Sequence, residues 1–364
     1  MKRFLKTITL FLIPVVLVIS LFSAVYFASG EYIGTREVAL RMAQGEPILL
    51  GLAYRDDTRS MKHLIASEVE ADLLILGTSR SMQFRGQFFN TGSFFNAGGG
   101  VASLQEMLFF LQALPEEALP STLVIVLDQY FYNPTWNIAV PQNFSDYGFT
   151  QTSYPHNIHR CMQDFILGKY SIFDIFNSSS SAYGMAASAR GSGFYEDGSY
   201  SYGFAILEAY TAENALADSY RRILIGSDRF EYGDTLDAGV IQKTEELLAF
   251  CAENNIEVVA ILPPYAPSVY TYMQSTGNYT YIDALYPTLI PLFRQYGFEL
   301  YDYTYLAETT DDMYFDGFHG SDRAYAAITV RLSKESAILA PYLDETNLTS
   351  LFESEGHSLT VTFE

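Results

Sequence analysis

Apolar positions along the chain fall into three kinds of run. The first is continuous: "TITLFLIPVVLVISLFSAVYF", Thr7 to Phe27, carries no charge and reaches the length of about 20 residues that a helix needs to cross a bilayer. The second kind is short and dense: "ADLLILG" at 71–77, "SFFNAGGG" at 93–100, "STLVIVLDQYF" at 121–131, "IEVVAILPPYAP" at 256–267 and "FELYDYTYL" at 298–306. Most of these break on Gly or Pro, and the unbroken β-branched and leucine run at 121–131 predicts a strand buried on both faces. The third kind repeats at helical spacing, in "VASLQEMLFFLQALPEE" from Val101, "DAGVIQKTEELLAFCAENN" from Asp237 and "SDRAYAAITVRLSKESAILAPYL" from Ser321. "YIDALYPTLIPLFRQYG" from Tyr281 reads as a helix interrupted by its prolines. "SMQFRGQFFN", 81–90, is too short for more than a helix of two or three turns.

Strands alternating with helices through short connections predict a parallel sheet sandwiched between helices, an α/β domain over 71–345 built from two distant blocks. Residues 31–70 read as a connector with some helix, a spacer, and 346–364 as a tail. Between the blocks, 136–236 breaks the pattern and is rich in Ser, Gly and Tyr. Such a stretch is either a flexible surface excursion or an inserted subdomain, and its density of aromatics argues against plain disorder. Tyr and Phe beside Gly and Ser also suit the stacking and hydrogen bonding that sugars require.

Charge then assigns sides. Lys2, Arg3 and Lys6 precede the long apolar run, which predicts a single-pass anchor with the amino terminus inside and the remainder extracytoplasmic. A cleaved signal peptide is the alternative, although the run exceeds a usual h-region and no A-x-A site follows. Removing the three leading cations from a whole-chain charge of −21 leaves about −24, a balance that excludes nucleic acid as a partner. Cys161 and Cys251 form either one disulfide in an oxidising exterior or two buried thiols, and no C-x-x-C spacing suggests zinc.

In an open parallel sheet, ligands bind beyond the carboxyl ends of the strands. Ser79, Gly98 to Gly100, Asp128 and Pro263 to Tyr265 all fall at such ends. A serine opening a helical turn can use free backbone N–H groups to stabilise an oxyanion, but it needs a base. His319 follows Asp316 by three residues in "DDMYFDGFHGSDRAY", just after the last strand, which returns both to the edge that carries Ser79. That spacing lets Asp316 hold one imidazole nitrogen while the other faces the serine; the alternative is a turn that caps the final helix. Arg80 either steadies an anionic group or is structural, and Asp128 either orients a site residue or caps a turn. His156, His159 and Cys161 in "HNIHRC" lack companion ligands and predict no metal site. His63 and His357 stand in no pattern. Tyr265 and the tyrosines of 136–236 are either packing residues or sugar platforms.

"ILGTSRS", the glycine turn of "FNAGGG" and "DGFHGSD" together resemble the spaced blocks of the SGNH or GDSL hydrolase superfamily. The resemblance covers about 70–135 and 237–340 and implies a flavodoxin-like three-layer fold, with Ser79 as nucleophile, His319 and Asp316 as its partners, Gly98 as an oxyanion donor and no cofactor. The family's third block usually reads Gly-x-Asn-Asp, whereas this chain has "VLDQYFYNP"; either Asn133 reaches the site or that donor is missing. The departure is similar to membrane-anchored relatives of the teichoic-acid D-alanylation and alginate O-acetylation type. These imply acyl transfer to or from hydroxyls of cell-envelope polysaccharide, beside a membrane-bound O-acyltransferase. The competing expectation is a non-catalytic glycan-binding or export-assembly factor on the same fold.

Overall fold

The computed structural model describes residues 1–136, 138, 143, 144, 147–176 and 178–363. From the amino terminus the chain forms α1 (Lys2–Ala28), α2 (Thr35–Ala43), β1 (Leu49–Leu50), α3 (Thr58–Val69), β2 (Leu73–Leu76), β3 (Phe94–Asn96), α4 (Leu104–Gln112) and β4 (Thr122–Val126). Its middle forms α5 (Tyr154–Ile166), α6 (Ile172–Phe176), β5 (Ala182–Tyr183), α7 (Met185–Arg190), β6 (Gly193–Phe194), β7 (Tyr200–Ser201), α8 (Phe204–Ala209) and α9 (Ala212–Ile225). The alternating pattern returns as α10 (Ala238–Glu253), β8 (Glu257–Leu262), α11 (Pro267–Thr276), α12 (Thr280–Gln295), β9 (Glu299–Asp302), α13 (Asp322–Glu335) and α14 (Glu345–Glu353). These elements divide between two units.

The larger unit, 58–148, 197–199 and 209–364, is mixed α/β and holds a parallel sheet in the order β3-β2-β4-β8-β9. Leu76 lies opposite Ile125, Val126 opposite Ile261 and Leu262 opposite Asp302, so the carboxyl ends of four strands share one edge. The direction of chain connection reverses between β2 and β4, the switch point at which such sheets open a crevice. Leu73, Ile75, Val124, Val126, Val259 and Ile261 pack with Tyr325, Ile328 and Leu332 of α13 and Leu348 and Leu351 of α14. The intervening Leu74, Leu76, Leu123, Ile125, Val258 and Ala260 are buried as well. Burial on both faces is why these strands read as unbroken apolar runs.

Two expectations change in this unit and a third is narrowed. α12 runs through Pro287 and Pro291 without interruption, because both prolines stand on its exposed side, where the carbonyls they leave unpaired meet water. Residues 81–90 form no helix; two 3-10 turns, Ser79–Ser81 and Gly86–Phe88, turn Phe84, Phe88 and Phe89 into the core. The stretch read as a tail is part of the core too, with Leu348, Leu351 and Val361 buried and Arg323 donating to the carbonyls of Ser354 and Thr360.

The smaller unit, 1–57, 149–196 and 200–208, holds a four-stranded sheet in the order β5-β1-β6-β7, parallel between β1 and β5 and antiparallel elsewhere. Residues 31–57 are therefore built into a folded unit. The buried Glu31 carboxylate accepts from the backbone N–H groups of Ala53, Tyr54 and Met185, which satisfies a charge that burial otherwise penalises. The stretch 136–236 is not one insertion: 149–196 and 200–208 belong here, while α9 packs Leu216 and Ile223 with Val269 and Met273 of the larger unit. α1 is long and apolar enough to cross a membrane, and only its last turns are covered, with Val25 and Tyr26 fully buried. Cys161 and Cys251 are separate, buried thiols.

Candidate active site

β2 ends at Leu76 because Gly77 turns the chain where a side chain does not fit. A Cβ there would lie 3.0 Å from the Val126 and Ser81 Cβ atoms. The Thr78 hydroxyl then accepts from the Arg80 N–H at 3.2 Å and caps the 3-10 turn Ser79–Ser81, while Ser81 Oγ donates back to the Thr78 carbonyl at 2.8 Å. Ser79 is left half-buried on this turn, its backbone N–H paired with no acceptor among the described residues.

The opposing half comes from the loop between β9 and α13. Residues 314–320 close on themselves through a bridge between Tyr314 and Gly320 and a hydrogen bond from the Phe315 N–H to the His319 carbonyl. Gly317 is required there, since a Cβ would come within 2.5 Å of the Ser219 side chain. Asp316 Oδ1 accepts from the backbone N–H groups of Phe318 and His319 at 2.9 and 2.8 Å. Its Oδ2 lies 2.7 Å from His319 Nδ1, and His319 Nε2 lies 2.8 Å from Ser79 Oγ. With Nδ1–H directed at the carboxylate, Nε2 is the acceptor facing the serine O–H. Burial pushes the Asp316 carboxyl up, but the imidazole beside it and the three hydrogen bonds outweigh that and lower it to about 2. Asp316 is thus an anion throughout the neutral range.

Arg80 and Asp128 tie the two halves together from below. Both are fully buried, with Arg80 Nη1 3.0 Å from Asp128 Oδ1. The guanidinium also donates to Gln129 Oε1 at 2.8 Å, to the Pro263 and Pro264 carbonyls at 2.9 and 2.8 Å, and through Nε to the Phe318 carbonyl at 2.9 Å. Asp128 Oδ2 accepts from the Thr78 hydroxyl at 2.6 Å, and Gln129 Nε2 donates to the Pro263 carbonyl and the Thr304 hydroxyl. One side chain thereby joins the ends of β2, β4 and β8 to the histidine loop, a task suited to a planar group with five donors. Its other face stacks on the buried Tyr265 ring, 4.6 Å from the centroid. These contacts resolve three open readings. Arg80 has no face free for a substrate anion, Asp128 orients the serine turn, and Tyr265 is a packing residue.

Two expected oxyanion donors are otherwise engaged. The Gly98 N–H donates to Asn96 Oδ1 at 2.7 Å, and the missing side chain at Gly98 makes room for the serine turn, since a Cβ would lie 2.5 Å from Ser81 Oγ. Asn133 is buried and occupied, donating to the Glu231 carbonyl at 2.8 Å and accepting from the Thr135 N–H and hydroxyl. Neither group stands free to receive charge from a substrate.

Asn96 is the residue that sequence reasoning passed over. Its Nδ2 donates to the Ser81 and Phe84 carbonyls at 2.9 and 2.8 Å, stapling the end of β3 to the serine turn, and the Lys62 ammonium holds its backbone carbonyl at 2.7 Å. Its signal was its place two residues before Gly98, the spacing at which an Asn side chain reaches a backbone N–H. Gln129 gave no such signal. His156 and His159 are exposed on α5 beside the buried Cys161, and among the described residues no three His, Cys, Asp or Glu side chains are grouped to hold a metal. His63 packs between Phe110 and Phe144. His357 Nδ1 accepts from the Leu359 N–H. The chain matches no protein-family model, no curated protein and no solved structure.

Proposed function

We propose that this chain is a membrane-anchored, extracytoplasmic serine O-acyltransferase or esterase of SGNH type that acts on acyl groups, acetyl foremost, of cell-envelope polysaccharide. The observation that carries the reading is the unbroken chain from Ser79 Oγ to His319 Nε2 and from Nδ1 to Asp316, at 2.8 and 2.7 Å. Such a chain supplies a nucleophile, a base and an orienting carboxylate in the order acyl transfer requires. Further support comes from the switch-point position of Ser79 and from α1, whose leading cations fit an amino terminus kept inside.

In this mechanism Ser79 Oγ attacks the acyl carbonyl as its proton passes to His319 Nε2. The tetrahedral intermediate collapses, its ester C–O bond breaks, and the departing oxygen takes the proton from Nε2. The acyl group then rests on Ser79. An incoming hydroxyl loses its proton to Nε2, attacks that ester and releases Ser79 Oγ, which recovers the proton. A sugar hydroxyl gives transfer and water gives hydrolysis. Asp316 stays ionised and stabilises the imidazolium. With Gly98 and Asn133 engaged, the Ser79 N–H is the donor left for the oxyanion, and one such preorganised donor is worth about 3 kcal/mol of barrier lowering.

Incubation of the full chain with p-nitrophenyl acetate, followed by mass spectrometry, tests the assignment. The expected result is one added acetyl group on Ser79, absent in Ser79→Ala, and passed to an acceptor oligosaccharide when one is supplied. A folded chain that never acquires the acetyl group would favour the second reading, a non-catalytic glycan-binding or assembly factor. That reading draws on one observation, the engagement of both the Gly98 and Asn133 donors.

A further inference from the structure

The smaller unit leaves a set of large apolar side chains uncovered beside α1. Ile166, Leu167, Phe173 and Phe176 are 73, 79, 79 and 60% exposed. All four flank residues that pack on α1: Phe165 and Ile172 lie against, and Ile175 within, the cluster that buries Val25 and Tyr26. The Phe165 ring sits 5.7 Å from that of Phe22. Phe22 lies five residues inside the end of the apolar run, or about 7.5 Å along a helix axis. The carboxyl end of α5 is therefore held level with the last turns of the membrane-length segment.

The surroundings are graded as a bilayer surface is. Tyr26, Phe27, Tyr32 and Tyr154 gather at the end of α1 with ring centroids 5.0–5.9 Å apart, the side chains favoured where hydrocarbon meets headgroups. Phe173 and Phe176 stand one turn apart on the same side of α6, while Asp174 leaves from the opposite side. Lys169 pairs with Asp164 at 3.3 Å and shares the Tyr170 ring with Arg190, so cations follow directly on Leu167. Beside Phe27 and Phe176, a groove of about 360 Å³ lined also by Ile33, Ile175 and Ala182 carries Ser178, Ser179 and Ser180 on its wall, so hydroxyls stand next to the apolar side chains.

We propose that the end of α5 and the exposed side of α6 form a collar that rests in the interfacial layer of the bilayer spanned by α1, with Ile166, Leu167, Phe173 and Phe176 against acyl chains. The inference rests on the reading of α1 as a membrane span. It makes the smaller unit a part of the membrane surface, where α1 alone would leave it tethered in water. A water-facing unit has no reason to leave four such side chains exposed next to its anchor.

Spin labels on Leu167→Cys and Phe173→Cys, in the full chain reconstituted into phosphatidylethanolamine–phosphatidylglycerol vesicles, test this, with Val16→Cys in α1 as the lipid reference and the unlabelled parent as background for the two buried cysteines. Oxygen should relax both labels several-fold more strongly than a water-soluble nickel chelate, as at Val16. Strong relaxation by nickel would place the side chains in water, and weak relaxation by both reagents would mean cover by protein, a second copy included; either overturns the collar. A chain that fails to float with the vesicles instead overturns the membrane reading of α1, and the collar with it. Both positions are nearly free of contacts, so the labels leave the fold intact.

Discussion

Thr78, Ser79 and Arg80 stand at the end of a central strand, locked by a guanidinium and a carboxylate whose side chains are completely buried. Asp316 and His319 stand on a surface loop, with side chains 33 and 17% exposed. The first region spends stability on position, because a buried ion pair recovers its desolvation cost only when every donor and acceptor is matched. The second keeps contact with water, which proton exchange demands. Arg80 joins them by holding the Phe318 carbonyl next to the histidine. A serine fixed from the core and a histidine held on the rim make the distance between them a property of Arg80 as much as of the loop.

The loop side is the place for the largest effect. Asp316→Asn should slow acylation roughly 10⁴-fold through the wrong imidazole tautomer; an unchanged rate would mean that the carboxylate only shapes the turn. On the buried side the loss should appear first in stability. Arg80→Ala leaves Asp128 without its cation and should cost about 3–5 kcal/mol in urea unfolding. Arg80→Lys should not restore it, since three ammonium donors cannot serve five acceptors. Asn133→Ser should cost about 1–2 kcal/mol for the carbonyls it leaves unmet, with no change in acylation rate. A matching fall in rate would instead make Asn133 an oxyanion donor.

The smallest effect is one of pH. Asp316 is held at about 2 in the folded chain against an ordinary 3.8, so the folded state binds this proton less readily than the unfolded one. The stabilisation is complete above about pH 4 and is lost as pH falls toward 2. The gap in unfolding free energy between the parent and Asp316→Asn should close over that window and stay constant above it.

Much of the sheet was legible because strands buried on both faces announce themselves as unbroken apolar runs, and their ends locate Ser79, Asp128 and Pro263. The grouping of Ser79 with Asp316 and His319 followed from topology, since a loop leaving a parallel strand must return to the carboxyl edge. The fate of Gly98 and Asn133 was not legible: which acceptor a donor meets depends on Asn96 and on the 231–232 loop, both set by tertiary packing. Arg80 was equally opaque, as nothing in a sequence distinguishes a guanidinium facing solvent from one with five buried acceptors. An inserted subdomain was one reading of 136–236, but its strands and its partnership with 31–57 were not legible, because two-residue strands are too short to leave a period.

The most direct test of the central claim is covalent labelling of the full chain with a fluorophosphonate, read by peptide mass spectrometry in the parent, Ser79→Ala and His319→Ala. The account predicts modification of Ser79 in the parent, none at that peptide in Ser79→Ala, and loss of labelling in a folded His319→Ala. Labelling of another serine, or of Ser79 at the same rate without His319, would contradict it.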